Sequence, residues 1–372
     1  MRVVSVEMRD FRSYVRAEAP LGEGLTVVYG PNGAGKSNLL EAIYFGCTAR
    51  SPRARNDREL VRFGARVTRV VVRLTDGARM HELGVGYGTH PGGERAEKRM
   101  TSDGAPVERL LDVETRPLLS VFLPDRLELV KGPPALRRAH LDQVVAAIWP
   151  LRAGVRREYS SVLAQRNALL GRIRAGHASD TTLSTWDHEL AGKALALRAH
   201  RAETVALIAG SFAQQATRLG VGGAVTLDYR PRSQAADEAE FVSELQARLP
   251  ADLARGFSSH GPHRDELALL RDGRELRLYG SQGEQRLALL ALLLAEREVI
   301  ARERRRTPLM LLDDVMSELD ATRRELLAEE LSSGGQSVIA TTDLAHVPGA
   351  SAASVTRLRV SDGAILSEAL AA

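Results

Sequence analysis

The stretch 25-LTVVYGPNGAGKSNLLEAIYF-45 decides how the chain begins to fold. Leu25 to Tyr29 is a short apolar run, Gly30 to Gly35 is rich in glycine, and an apolar-periodic segment opens at Lys36. That order reads as buried strand, loop and helix. Within it, Gly30-Pro31-Asn32-Gly33-Ala34-Gly35-Lys36-Ser37 fits G-x-x-x-x-G-K-[ST] in its required context. Glycines let the backbone curl so that successive N–H groups converge on phosphate oxygens. The helix N-terminus adds the positive end of its dipole. Lys36 can reach the β- and γ-phosphates, and the Ser37 hydroxyl can ligate Mg²⁺. A nucleoside triphosphate site is expected on these eight residues.

A second decisive stretch is 307-TPLMLLDDVMSELDATRRELLAEEL-331. Leu309 to Leu312 reads as a buried strand, and it ends in Asp313-Asp314. Paired acids after a hydrophobic strand complete the site of a P-loop ATPase. Asp313 is expected to hold Mg²⁺ and Asp314 to orient or deprotonate the attacking water, so Lys36 and Asp314 form the expected catalytic pair. Ser337 to Asp343, SVIATTD, is a further buried strand with a polar end, as where parallel strands present ligands. The glycine cluster GVGYGTHPGG at 84–93 has no helix after it and reads as a hairpin loop.

Between the two ATPase halves, ALRRAHLDQVVAAIW, LRAGVRREYSSVLAQRNALLGRI and a stretch from Leu183 to Leu219 carry helical spacing. No sustained heptads, internal repeats or low-complexity tracts occur, and 84–106 and 256–263 are candidate junctions. The expected organisation is an N-terminal ATPase half over 1–126, a mainly helical lobe over 127–260, and a C-terminal half over 261–372.

Just upstream of the acids, Ser281-Gln282-Gly283-Glu284-Gln285 tips into an apolar helix. The order of parts resembles the ABC-type ATPases, whose signature turn is usually LSGGQ. The fold class it implies is α/β: an ABC-type P-loop head with a mainly helical second lobe inserted between its halves. The resemblance also implies that Ser281, Gln282 and Gly283 dock on the γ-phosphate of a partner subunit's ATP. Ser317 to Asp320, SELD, matches the D-loop of such dimer interfaces. Thr341, Thr342 and Asp343 stand where transporters have a switch histidine.

A narrower resemblance follows from FRSY at 11–14, ELVRFG at 59–64, FLPDRLELVKGPPALRRAHLD at 122–142, YSSVLAQRN at 159–167, GPHRDEL at 261–267, GSQGEQR and LLDDVMSELD. With these, almost the whole chain resembles the RecF family of bacterial recombination and repair ATPases, which are related to SMC-type heads. Ser37 stands where threonine is common and keeps the hydroxyl. Pro52 stands where the family pattern has histidine, which argues against nucleotide contact by that segment. The resemblance implies ATP and Mg²⁺ as cofactors, an ATP-dependent homodimer with slow, DNA-stimulated hydrolysis, and binding to double-stranded DNA and to gaps or junctions. It further implies cooperation with RecR and RecO, loading of RecA, and a cytoplasmic, nucleoid-associated location. An SMC-like chromosome-structuring ATPase and a transporter's nucleotide-binding subunit are the alternatives; the insert is too short for an SMC arm, and the degenerate turn and large insert disfavour a transporter.

Composition agrees with a cytosolic, globular chain. A hydrophobic share of 44% with 26% charged residues is enough for a real core, and 372 residues suggest two lobes. One cysteine, Cys47, excludes a disulfide framework and reads as a core residue. No secretory signal or membrane-length apolar run is present. Only four of the 51 basic residues are lysine, which marks Lys36 as a position that uses its ammonium. Arg50, Arg53, Arg55, Arg58, Arg62, Arg66, Arg69 and Arg73, opposed only by Asp57 and Glu59, are an expected DNA-facing surface.

Overall fold

A computed structural model describes residues 1–89 and 95–368. The chain opens with β1 (Arg2–Phe11), β2 (Tyr14–Pro20), β3 (Leu25–Tyr29) and α1 (Lys36–Thr48). Strands β4 (Val67–Thr75), β5 (Met80–Gly88), β6 (Glu97–Ser102), β7 (Ala105–Pro106) and β8 (Leu119–Phe122) follow. The middle holds α2 (Glu128–Lys131), α3 (Pro134–Ile148), α4 (Val155–Arg174), α5 (Leu183–Arg218), β9 (Val225–Arg230) and α6 (Glu238–Arg255). Then come β10 (Glu266–Arg271), β11 (Arg274–Glu275), α7 (Leu276–Tyr279) and α8 (Gln282–Arg304). The chain closes with β12 (Leu309–Asp313), α9 (Ala321–Ser333), β13 (Ser337–Thr341), β14 (Thr356–Ser361) and β15 (Ala364–Glu368).

Two compact units result: Met1–Arg126 with Arg304–Ala372, and Leu127–Glu303. In the first, β8, β12, β13, β3 and β14 lie side by side and parallel, and β15 closes the edge as an antiparallel hairpin strand. β12 and β13 are buried along their whole length, as parallel strands covered on both faces must be. A second sheet, ordered β2-β1-β4-β5-β6-β7, is antiparallel throughout. Its β1, β4 and β5 alternate, sending Val6, Met8, Val70, Val72, Leu83 and Val85 into a core that also holds Leu39, Ile43 and Phe45 of α1. Cys47 is wholly buried there, and burial pushes its thiol up to about 12.

The glycine cluster at 84–93 departs from the expected loop in its first half. Gly84 to Gly88 are the last residues of β5, and residues 90–93 lie outside the described residues. Gly84, Gly86 and Gly88 share one face, and a Cβ on Gly84 would lie 2.5 Å from Thr101 Oγ1. The absent side chain at Gly84 leaves room for Thr101 of β6, and that at Gly88 leaves room for the Arg66 carbonyl beside β4.

In the second unit, α3 to α6 pack with a three-stranded sheet ordered β11-β10-β9. The expected boundary at 260/261 falls inside this unit, because β10 pairs along its length with β9. Guanidinium groups organise its interior. Arg166 is fully buried, donating to Asp187 Oδ1 at 2.7 Å, Asp252 Oδ2 at 3.1 Å and Ser258 Oγ at 2.6 Å. Arg201 donates to both Asp142 oxygens, at 2.7 and 3.0 Å, and to the Pro262 carbonyl at 2.7 Å. GPHRDEL thus acts from its backbone and from Asp265, which also accepts from Tyr229 at 2.5 Å.

His263 in that segment accepts from Tyr159 Oη through Nδ1 at 2.7 Å and donates from Nε2 to the Ser258 carbonyl at 3.0 Å. Those partners fit a neutral ring, and burial depresses its pKa to about 4. An unfolded histidine titrates near 6.5, so the native state binds fewer protons between those values. Stability should fall by roughly 2–3 kcal/mol as pH drops from about 6.5 to about 4, then level off. Urea unfolding of the parent and His263→Asn across that range checks this; parallel pH profiles would remove His263 as the cause.

Candidate functional site

The site is assembled by strand register. Tyr29, the last residue of β3, lies opposite Thr341 of β13, and Ala340 lies opposite Asp313 of β12. The glycine loop, Thr341 and the Asp313-Asp314 pair therefore leave one carboxyl edge on neighbouring parallel strands, the position where open α/β sheets bind ligands.

The loop itself is held by its glycines. Gly30 has φ 151° and passes so close to β14 that a Cβ would lie 2.1 Å from the Val360 carbonyl oxygen. Gly33, at φ 81°, faces open space. Lys36 is buried and donates to the carbonyls of Gly30 at 2.7 Å and Pro31 at 2.9 Å, so its ammonium lies folded against the loop. Tyr14 Oη donates to the Gly35 carbonyl at 2.9 Å, and Asn38 donates to Ser13 Oγ at 3.0 Å. FRSY, a family signature in the sequence, braces the phosphate loop from the neighbouring sheet. Its role as a brace had no local signal.

Burial pulls the Lys36 ammonium below its ordinary value, against the opposing pull of Asp314 and Asp313. Burial raises Asp313, while the Ser37 hydroxyl and then the Arg53 guanidinium hold it back. Ser37 and Asp313 thus already meet. Among the described residues no group of three or more His, Cys, Asp or Glu side chains forms a preassembled metal cage. A hydroxyl and one carboxylate beside a phosphate loop suit Mg²⁺, which keeps waters and takes substrate phosphate oxygens as ligands. Asp314 sits at φ 51°, and its N–H donates to the Ala340 carbonyl at 3.0 Å. Its Oδ1 is buried without a hydrogen-bond partner in the chain. A left-handed backbone and an unsatisfied carboxylate oxygen are costs that cluster at functional sites.

Arg53 also reaches Asn38 Oδ1 at 3.4 Å and Glu41 at 3.7 Å, and Ser51 donates to Glu41 at 2.5 Å. The segment around Pro52 therefore packs beside Ser37 and Asp313. Two of the eight arginines expected on a basic surface are neutralised, Arg62 by Asp10 at 2.7 Å and Arg73 by Glu7 at 3.3 Å and Glu18 at 2.8 Å. Arg53 shares Glu41 with Arg12, which holds that carboxylate through two hydrogen bonds at 2.8 and 2.9 Å.

Ser281, Gln282 and Gly283 belong to the second unit, where they are exposed at the start of α8. Ser281 N–H donates to Glu284 Oε2 at 2.8 Å, and Glu284 N–H donates to Ser281 Oγ at 3.3 Å, a reciprocal capping box. Gln285 is buried and donates to the Leu276 and Gly280 carbonyls at 2.9 and 3.2 Å, fixing the turn that precedes the helix. Ser317 donates to the Asp314 carbonyl at 2.9 Å, and the Asp320 side chain caps α9.

A family model described as an AAA domain matches residues 5–92. The DNA replication and repair protein RecF of Streptomyces avermitilis is 37% identical, over 98% of this chain and 99% of the relative. That of Heliobacterium modesticaldum is 36% identical over 93% of each. The chain belongs to the RecF family. A solved structure of the recombination mediator protein RecF with the ATP analogue ATPrS superposes at a TM-score of 0.85, with 27% identity and 99% and 98% of the two chains covered. A solved Smc head shares the fold at a TM-score of 0.60 and 18% identity. The architecture is thus that of an ABC/SMC-type head carrying an inserted, mainly helical lobe, as expected for RecF. Among the described residues no helix is long and apolar enough to cross a membrane.

Two glycines of the phosphate loop should respond differently to substitution. Gly33→Ala should cost only left-handed strain, about 1–2 kcal/mol. Gly30→Ala must also displace β14 or the loop and should lower thermal stability further and weaken nucleotide binding. Melting and nucleotide titration of both variants decide this; equal losses would show that the Val360 contact does not set the loop.

Proposed function

We propose that the chain is an ATP-dependent, DNA-binding recombination mediator acting in DNA repair and replication restart through an ATP-induced homodimer. The observation that carries this reading is the meeting of Lys36, Ser37, Asp313 and Asp314 at one carboxyl edge. The loop N–H groups from Gly30 to Ser37 hold the phosphates of ATP, and Lys36 exchanges its carbonyl partners for β- and γ-phosphate oxygens. Ser37 and Asp313 would hold Mg²⁺, which when bound neutralises phosphate charge. Asp314, with its free Oδ1, orients the attacking water or takes its proton.

Ser281, Gln282 and Gly283 present a helix N-terminus to the γ-phosphate bound by a second copy of the chain. The capping box leaves these residues at the surface, where a partner can approach. Asp314 is one methylene shorter than the glutamate found in many ABC proteins, so the water is held less closely and turnover is slow. Hydrolysis is then a switch, stimulated by DNA, that times release of the clamp. Recognition of gaps and duplex junctions, cooperation with RecR and RecO, loading of RecA and a cytoplasmic, nucleoid-associated location rest on membership of the RecF family. A RecF relative solved with an ATP analogue is described as a recombination mediator in the RecFOR pathway.

Lys36→Ala removes the phosphate contact and should abolish ATP binding in calorimetry; undiminished affinity would overturn the site. The dimer has its own test in sedimentation with ATP. Ser281→Arg should keep ATP binding, lose about 1 kcal/mol of stability with its cap, and remain monomeric. Asp314→Asn should bind ATP, fail to hydrolyse it and stay dimeric. Dimerisation of the Ser281 variant like the parent would end the composite-site reading.

A further inference from the structure

The outer face of the antiparallel sheet carries a charge pattern that ATP chemistry does not use. Arg9 of β1 lies directly opposite Arg16 of β2 on one side and Arg69 of β4 on the other. Arg69 lies opposite Gly86 of β5, and Gly86 opposite Arg99 of β6. Residues opposite each other in antiparallel strands point to the same face, so four arginines form one row across five strands spaced about 4.8 Å apart. Like charges directly opposite are destabilising, yet the row is nearly uncompensated. Among the described residues Arg9 and Arg69 make no ion pair, and both are exposed. Arg16 reaches the half-buried Glu7, which it shares with Arg73, at 3.5 Å, and Arg99 meets Glu97 at 3.3 Å as a solvent-exposed pair of little strength.

The next rows on the same face are different. Glu7 and Glu18, opposite each other one row along, and Glu82, in the row beyond with Arg73, surround that arginine at 3.3, 2.8 and 3.8 Å and leave net negative charge there. The uncompensated positive charge is therefore a stripe about one residue wide. Within it β5 presents Gly86, which adds no side chain between Arg69 and Arg99. No aromatic side chain lies in these rows, so an unstacked base would find no platform there.

We propose that the row Arg16–Arg9–Arg69–Arg99 is the track for one phosphate backbone of a DNA duplex, held without base contacts. This rests on the DNA-binding reading above and assigns it a surface. A narrow positive line beside a negative one fits a ligand that offers phosphates outward along one edge and keeps its bases paired inside. Recognition by such a row is independent of sequence and strongly dependent on salt.

The test is duplex binding by the full chain with ATP, across a salt series, for the parent and for Arg9→Gln with Arg69→Gln. Both side chains are exposed and unpaired, so ATP binding and melting temperature should hold and report the fold. The slope of log affinity against log salt should shrink by about 1.8, and affinity at 0.1 M salt should fall on the order of tenfold or more. Unchanged slope and affinity in the double variant, with a parent that binds duplex, would overturn the track and leave the DNA reading standing. A loss seen with single-stranded DNA and absent with duplex would overturn the choice of ligand. A parent with no affinity for DNA would remove the functional reading and the track together.

Discussion

The parallel pairing of β3, β13 and β12 is the constraint on which the rest of the first unit depends. Its strands are five residues long and almost wholly buried, so their backbone groups have no water to fall back on and must pair with one another. A slip of one residue would turn every side chain to the opposite face and carry Asp313 away from Ser37. Gln336, buried just before β13, helps hold the register. Its amide accepts from Val3 N–H at 2.9 Å and donates to the carbonyls of Val3 and Gly22 at 2.6 and 2.7 Å. One side chain so ties the antiparallel sheet to the start of a central parallel strand.

The second unit follows a different rule, with buried arginines anchoring its helices and loops. Taking Arg166 and Arg201 out of water is costly, and their acidic partners offset part of that cost, although Arg166 Nη2 is buried without a hydrogen-bond partner. Loss of Arg166 would leave the buried carboxylates of Asp187 and Asp252 uncompensated, so these ion pairs favour one arrangement of α4, α5 and α6. The arginine-rich composition that looked like a surface property is thus partly an interior one.

The turn before α8 shows how one short segment can serve structure and chemistry together. Ser281 and Glu284 satisfy each other's backbone N–H groups, while Gly283 adds no side chain. A helix start built this way is stable without bulk. That is also what close approach to a phosphate requires.

The sequence by itself determined the local parts. The glycine pattern from Gly30 to Gly35, the acids after Leu312 and the spacing of α3 to α5 follow from chemistry that acts over a few residues, so they were legible along the chain. The family signatures added the order of the lobes. Tertiary structure decided what no local pattern encodes. It drew β10 into the inserted unit, which runs on to Glu303, because β10 pairs with β9 from a distance of about forty residues. It turned FRSY into a brace for the phosphate loop and sorted the arginines into paired and unpaired ones. It also lined Arg9, Arg16, Arg69 and Arg99 in one row. Strand register is settled by pairing between distant segments, and only pairing says which charges meet.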